Sequence, residues 1–244
     1  MSEPTGKLRF YGELAEWWPL ISPVEDYVEE AAYFGGLLQG LEVLELGSGG
    51  GHNAFYLKRE FALTLVDLSE EMLDVSRALN PECEHLAGDM RTLRLGREFD
   101  SVFVHDAVDY MTTLADLHKL AETAFTHCRP GGTAVLVPDA TRETFEEGTE
   151  HGGCDAPDGR GVRYLEWTRD PDPEDSWALT DYSFLLKDAQ GVVRSVHETH
   201  RIGVFSEAEW SAALVGAGFE ARTVDEETLD ERTPRTVFIG RRPR

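Results

Sequence analysis

Between residues 37 and 140 the apolar positions gather into short runs: LEVLEL from Leu41, ALTLVDL from Ala62, FDSVFV from Phe99 and TAVLV from Thr133. Amphipathic stretches separate them. Runs that are apolar at nearly every position, rather than at alternate ones, predict strands covered on both faces, as in a parallel sheet flanked by helices. The helix expected after Asp67 has Ser69 as its N-cap and Glu70 and Glu71 in its first turn, and it stops at Asn80-Pro81.

The pattern differs on either side of this core. Residues 1–36 read as helical and rich in aromatics (Tyr11, Trp17, Trp18, Tyr27, Tyr33, Phe34), with Pro19 and Pro23 expected to break the segment into two pieces. Residues 141–200 form an inserted unit. TRETFEEGTEHGGCDAPDGRG, from Thr141, reads as a surface loop; three strand-like runs, VRYLEWT, WALTDYSFLL and GVVRSVHETHRIGVF, follow, the last two joined by a KDAQG hairpin. From Phe205 the α/β pattern resumes. Ser206 and Glu209 form a capping-box signature, Gly218 closes the helix, and strands begin at Phe219 and Arg235. Residues 37–140 and 201–244 thus make one core, preceded by a helical segment and interrupted by an antiparallel meander.

Composition narrows the classes. A chain of 244 residues can bury a sizeable core, and one α/β domain with an embellishment accounts for it. No apolar run is long enough to span a bilayer and MSEPTGKLRF carries no signal-like apolar region, so a cytoplasmic protein without a membrane partner is expected. Three scattered cysteines, Cys83, Cys128 and Cys154, fit reduced thiols. With 46 acidic against 23 basic residues the formal charge is −23, which disfavours nucleic acid as a partner. Most of that excess reads as a solvated surface.

Candidate chemistry begins at Leu41–Asn53, LEVLELGSGGGHN. Gly47, Gly49, Gly50 and Gly51 form a turn that lets backbone approach a ligand, and the helix expected after it presents free N–H groups toward an anionic moiety. Twenty residues past Gly47, the strand ending at Asp67 sets a carboxylate where ribose hydroxyls are bound in nucleotide-binding βαβ units. A dinucleotide fingerprint wants glycine at its sixth position, here His52. A nicotinamide-dependent oxidoreductase, NAD(P)-linked, is therefore the lesser alternative.

ELGSGGG followed by VDLS resembles the nucleotide-binding motifs of class I S-adenosylmethionine-dependent methyltransferases. So do LAGDM (Leu86–Met90), FDSVFVHDAVDYM (Phe99–Met111), CRPGGTAVLVPD (Cys128–Asp139) and FSEAEWSAALVGAGFEA (Phe205–Ala221), in the family's order. The resemblance implies a doubly wound, Rossmann-like sheet of seven strands, mostly parallel with the last antiparallel, and S-adenosyl-L-methionine as cofactor. It places the backbone of Gly47, Ser48 and Gly49 beside the methionine part, with Glu45 beneath the loop. It sets Asp67 on the ribose, Leu68 and Met72 beside the adenine, Asp89 and Met90 at the adenine's polar edge, and His105 and Asp106 near the sulfonium and its amino-acid tail. No metal is implied.

The N-terminal segment and the meander more loosely resemble those of amino-sugar N-methyltransferases, in which an aromatic helix closes over the cofactor and a small sheet covers the substrate. Tyr11, Trp18 and Tyr27 would then be lid contacts. Methyl transfer needs alignment and exclusion of water more than acid–base machinery, so no triad is sought. Tyr110 is the first candidate to meet the acceptor, although an ordinary tyrosine is a poor base at neutral pH; Asp109 and Asp139 are alternatives. His197 and His200, an odd number apart on a strand, cannot chelate together, and His151 with Cys154 lacks further ligands. The expected activity is methyl transfer to a small molecule at an amine nitrogen, a cationic amine suiting an acidic cleft. An O-methyltransferase and a non-catalytic cofactor-binding protein remain alternatives. Oligomeric state is left open, a homodimer included.

Overall fold

The computed structural model describes residues 8–226 and 234–244. The first seven positions of the expected 1–36 segment lie outside them. In chain order the helices are α1 (Trp18–Ile21), α2 (Val28–Leu37), α3 (His52–Leu57), α4 (Glu70–Leu79), α5 (Leu114–His127) and α6 (Glu207–Ala217). The strands are β1 (Glu42–Leu46), β2 (Ala62–Asp67), β3 (Glu84–Ala87), β4 (Phe99–Val104), β5 (Cys128–Leu136), β6 (Gly148–Gly152), β7 (Gly161–Arg169), β8 (Trp177–Lys187), β9 (Val193–Gly203), β10 (Glu220–Asp225) and β11 (Thr236–Arg241).

Seven strands form the main sheet in the order β10-β11-β5-β4-β1-β2-β3, with β11 antiparallel to both its neighbours and the remaining pairings parallel. Consecutive residues of β1 serve opposite faces. Leu44 and Leu46 pack with α5 and α6 residues such as Leu117, Leu120 and Trp210, whereas Val43 packs with Phe34, Ala54 and Leu57 of α2 and α3. Burial on both sides is why these strands are apolar at nearly every position. Strand order reverses between β1 and its neighbours β2 and β4, and in open α/β sheets the crevice at such a switch point, outside the strands' carboxyl ends, is where ligands bind.

The helix signals act as read. The Ser69 hydroxyl accepts Met72 N–H at the start of α4, Ser206 and Glu209 close a reciprocal capping box on α6, and Gly218 ends α6 at φ +111°. Two expectations are corrected. The 141–161 stretch is not wholly loop: β6 lies within it, its Gly148 to Gly152 paired with Thr168 to Tyr164 of β7, so the meander has four strands. GTEHG shows no apolar alternation because this edge strand is solvated on both faces, and backbone pairing alone orders it. Pro19 also does not break the N-terminal segment. It occupies the first turn of α1, where its missing N–H costs nothing, and Pro23 provides the break.

The N-terminal segment and the meander share a core of their own: Phe10, Leu14 and Trp17 pack on Val162, Phe184, Leu186 and Val196, so residues far apart in sequence jointly roof the carboxyl ends of the main sheet. Among the described residues no helix is long and apolar enough to cross a membrane.

Candidate active site

The glycine turn leaves β1 at Gly47, whose φ is +72° and whose added Cβ would lie 2.2 Å from the Ala107 methyl. Only glycine fits there. The turn is pinned by Gly47 and Ser48 N–H groups donating to the Val66 carbonyl at 2.8 and 3.0 Å. Asp67 completes the anchor: its Oδ2 accepts Gly49 N–H and its Oδ1 accepts Ser69 N–H, both at 2.8 Å. Burial raises its pKa and these N–H groups pull it back. Each oxygen has a second lone pair beyond these backbone bonds.

Beneath the turn, Glu45 is buried, its Oε2 has no hydrogen-bond partner, and burial followed by the Asp67 charge pushes its pKa up to about 8. The Ser48 hydroxyl is likewise buried and unpartnered. Met72 is fully buried under Gly49, whereas Leu68 is 72% exposed at the rim. Met90 is partly buried, its methyl 3.3 Å from where a Gly47 Cβ would stand. Asp89 is engaged by Arg91, whose Nε and NH2 reach both carboxylate oxygens at 2.7–3.1 Å, holding the Asp89 pKa below its ordinary value.

At the end of β4, His105 is sandwiched by Phe34 and Phe103, with Nδ1 2.7 Å from Asp106 Oδ1 and Nε2 3.5 Å from Glu30. Burial lowers its pKa to about 4, so the ring is neutral at physiological pH. Asp106 borders a recess of about 200 Å³ shared with Ser22, Asp26, Tyr27 and Glu30. Behind that recess Arg235, only 8% exposed, meets Glu226 through two bonds of 2.9 Å, Glu30 at 2.8 Å, Asp106 at 3.2 Å and Asp139 at 3.5 Å. Asp139, exposed at the rim of the cleft, has its pKa raised to about 6 by desolvation and then by the neighbouring Asp106 charge. Asp109 is buried and accepts Asp139 N–H at 3.0 Å, fixing the chain just past β5; burial and then the Asp139 charge hold its pKa well above the ordinary carboxylate value.

The N-terminal segment lies across the turn. The Ser69 hydroxyl donates to the Tyr11 carbonyl, and the Trp18 indole N–H donates to His52 Nδ1 at 3.2 Å while its ring covers Gly50. Tyr27 meets His52 edge to face at 5.1 Å. His52, the departure from a dinucleotide fingerprint, is thus the anchor for Trp18, and burial lowers its pKa to about 4. Tyr110 joins Tyr11 at 2.7 Å and His200 Nδ1 at 2.8 Å, and its pKa is raised well above the ordinary value by burial, which rules it out as a base. His200 is buried and His197 exposed, on opposite faces of β9. Among the described residues no group of three or more metal-ligating side chains converges.

Sequence reasoning missed Glu30, Arg91, Arg235, Tyr182 and Glu166. Glu166 was visible in principle: in VRYLEWT it shares a face with Val162 and Tyr164, an acidic residue on an apolar, inward face. It is hydrogen-bonded to Tyr182, its cross-strand partner, and burial raises its pKa to about 7.

Residues 43–132 match a family described as a methyltransferase domain. The protein is an S-adenosylmethionine-dependent methyltransferase with the class I fold. It is similar, at 29% identity over 88% of this chain and 91% of the relative, to the dTDP-3-amino-3,4,6-trideoxy-alpha-D-glucopyranose N,N-dimethyltransferase of Streptomyces venezuelae. Among solved structures it resembles Streptomyces venezuelae DesVI, with TM-score 0.79 and 27% identity over 90% of this chain and 92% of that one. It also resembles S-adenosylmethionine-bound CalS10, an amino pentose methyltransferase from Micromonospora echinaspora, with TM-score 0.73 and 26% identity over 88% and 91%. These matches set the oxidoreductase alternative aside.

Proposed function

We propose that this chain methylates the amino nitrogen of a sugar, in the nucleotide-linked form the relatives' names specify, and does so twice. The observation that carries the reading is the likeness to an amino-sugar N,N-dimethyltransferase over 88% of this chain and 91% of the relative. The cleft supports it: Asp106, Asp139 and Glu166 gather where a cationic amine would be attracted.

The residues present fit the cofactor. Glycine at 47 lets the loop turn tightly against the Ala107 methyl, and the buried, unpartnered oxygens of Glu45 and Ser48 at the same turn await a polar partner. In this reading Gly47, Ser48 and Gly49 pass beside the methionine part, Asp67 accepts from the ribose diol through its remaining lone pairs, and Met72 and Leu68 flank the adenine. Asp89, steadied by Arg91, and Met90 border the adenine's polar edge, and Asp106 with the neutral His105 borders the amino-acid tail. When bound, the sulfonium supplies an already activated methyl group. This chain's part is to orient the amine, exclude water and dispose of a proton. Residues 1–36 act as a lid, through Tyr11, Trp18 and Tyr27, and residues 141–200 cover the acceptor.

Incubating the protein with S-adenosylmethionine and a panel of nucleotide-linked amino sugars, deaminated sugars and free amines tests this, with mass spectrometry counting and locating methyl groups. The expected product is the dimethylamino sugar. Methylation confined to oxygen, or to none of the amines, would overturn the reading.

A further inference from the structure

We infer that Tyr11, Tyr110 and His200, backed by Glu198, form a proton wire that clears the acceptor nitrogen between the two methyl transfers, an inference that rests on the amine reading above. Three segments supply it. Tyr11 comes from the N-terminal segment, Tyr110 from the turn after β4, and His200 and Glu198 from β9. Tyr11 Oη lies 2.7 Å from Tyr110 Oη, Tyr110 Oη lies 2.8 Å from His200 Nδ1, and His200 Nε2 lies 3.1 Å from Glu198 Oε2. Every link is at hydrogen-bond distance.

One end opens to the site and the other is sealed. Tyr11 is half-buried and close enough to Asp67, Asp106 and Asp139 to feel their charges. His200 is 1% exposed, so a proton reaches it through the tyrosines. Glu198 is held in turn by the backbone N–H groups of Arg9 and Phe10, at 2.6 and 2.8 Å, so the lid segment itself orients the carboxylate at the end of the chain. Around His200 stand Tyr110 from the β4 turn, Tyr11 and Phe10 from the N-terminal segment, Tyr182 from β8 with its ring 4.9 Å away, and Glu198 from its own strand. Beyond them lie Glu166, bonded to Tyr182, and Asp109 beside Tyr110.

The chemistry balances. Attack of a neutral amine on the methyl group leaves a protonated secondary amine, which cannot attack again until one N–H proton departs. At rest the Tyr110 hydroxyl donates to Tyr11 Oη, so both hydroxyls first turn toward His200; the proton then passes to Tyr11 Oη as Tyr11 gives its own to Tyr110 Oη and Tyr110 gives its own to His200 Nδ1. One N–H bond breaks at the substrate and one forms on the imidazole, and each tyrosine ends with one proton, as it began. Glu198 then faces an imidazolium, a charge-assisted contact. Burial raises the pKa of both tyrosines, so they relay the proton without ionising. His200 is on this account a positioning and proton-accepting residue two hydroxyls away from the substrate.

The test compares the wild type with Tyr110→Phe and His200→Asn. The first removes one hydroxyl and keeps the ring; the second keeps a polar group that cannot take a proton. Mono- and dimethylated products are counted by mass spectrometry from pH 6.5 to 9.5, and binding of demethylated cofactor is measured by calorimetry. Near pH 7 both variants should accumulate monomethylated product, the second transfer falling about tenfold or more. The deficit should shrink above the acceptor's own pKa, where solvent takes the proton, with cofactor affinity within about twofold of wild type. A wild-type pH profile and product ratio in either variant would overturn the wire. Failure of the wild type to methylate any amine overturns instead the reading on which it rests.

Discussion

Trp18 and His52 meet across the glycine-rich turn, indole N–H to imidazole Nδ1 at 3.2 Å, and so fasten the N-terminal segment to the loop proposed to hold the cofactor. The contact joins lid and loop in one hydrogen bond, and it gives the residue that spoils a dinucleotide fingerprint a physical reason to be histidine.

Replacing Trp18 with Phe keeps an aromatic ring over Gly50 but leaves His52 Nδ1 without its donor. A net hydrogen bond of about 0.5–1.5 kcal/mol corresponds to a two- to tenfold rise in the cofactor dissociation constant. Calorimetric titration with demethylated cofactor should show it, with the melting temperature little altered. Unchanged affinity would mean the segment does not act on the loop.

Gly47 and Gly50 should respond differently to alanine. At Gly47 the substitution meets both positive φ and the Ala107 methyl, and a cost of about 1–3 kcal/mol from the backbone alone should lower the melting temperature and abolish cofactor binding. At Gly50 φ is not positive and the obstacle is the movable Trp18 ring, 2.6 Å from the added Cβ. Gly50→Ala should therefore fold normally and bind cofactor more weakly. Equal melting temperatures for the two variants would contradict this account.

Glu45 predicts a pH dependence of stability. Its folded pKa, near 8, lies above its unfolded value, so the contribution is fully present below the unfolded value and is lost as pH rises toward and through 8. Glu45→Gln removes the ionisation, and its stability relative to wild type should climb by on the order of a few kcal/mol between pH 5 and 9. Urea unfolding at three pH values measures it. A pH-independent difference would show that the carboxyl is not held protonated.

Arg235→Gln removes the only cation among Glu30, Asp106, Asp139 and Glu226 that the described contacts provide. Breaking a buried pair costs about 3–5 kcal/mol, which at this chain length is a fall of roughly 6–20 °C in melting temperature. Differential scanning calorimetry should record it, and lowering the pH toward 5 should restore part of the loss as carboxyls protonate. A loss that deepens on acidification would point to packing instead.

Asp67→Ala should cost both affinity and stability, because the carboxylate ties Gly49 to the start of α4. Hydrogen bonds to a charged group are worth about 1.5–3 kcal/mol each. A melt shifted downward together with weakened cofactor binding is expected; full retention of the melting temperature would mean those backbone bonds are replaceable.

What could be read in the sequence was local. LEVLEL running into GSGGG, the strand ending at Asp67 and the Ser206/Glu209 box each declare themselves within a few residues, since period, caps and glycine are short-range signals. The edge strand β6 had no alternation to reveal it. Arg235 stood in view just before an apolar strand, yet nothing nearby named its partners, one of them 205 positions away. Tyr110 was singled out by position, but its partner His200 lies 90 residues downstream, so the chemistry of the pair existed only once the meander had folded onto the core. Charge pairs and relays are properties of topology, which motif spacing encodes poorly.

The bond between Glu30 and Arg235 carries a consequence for synthesis on the ribosome. Glu30 is made 205 residues before its guanidinium partner, so the recess beside Asp106 cannot acquire its counter-charge until Arg235, just before β11, has left the exit tunnel. Domains form as units when their long-range contacts become available, and those contacts are slow to close. A nascent chain stalled before residue 235 would hold a cluster of unneutralised carboxylates at the proposed cofactor crevice, and such a chain should be readily digested by protease where the protein carrying Arg235 resists.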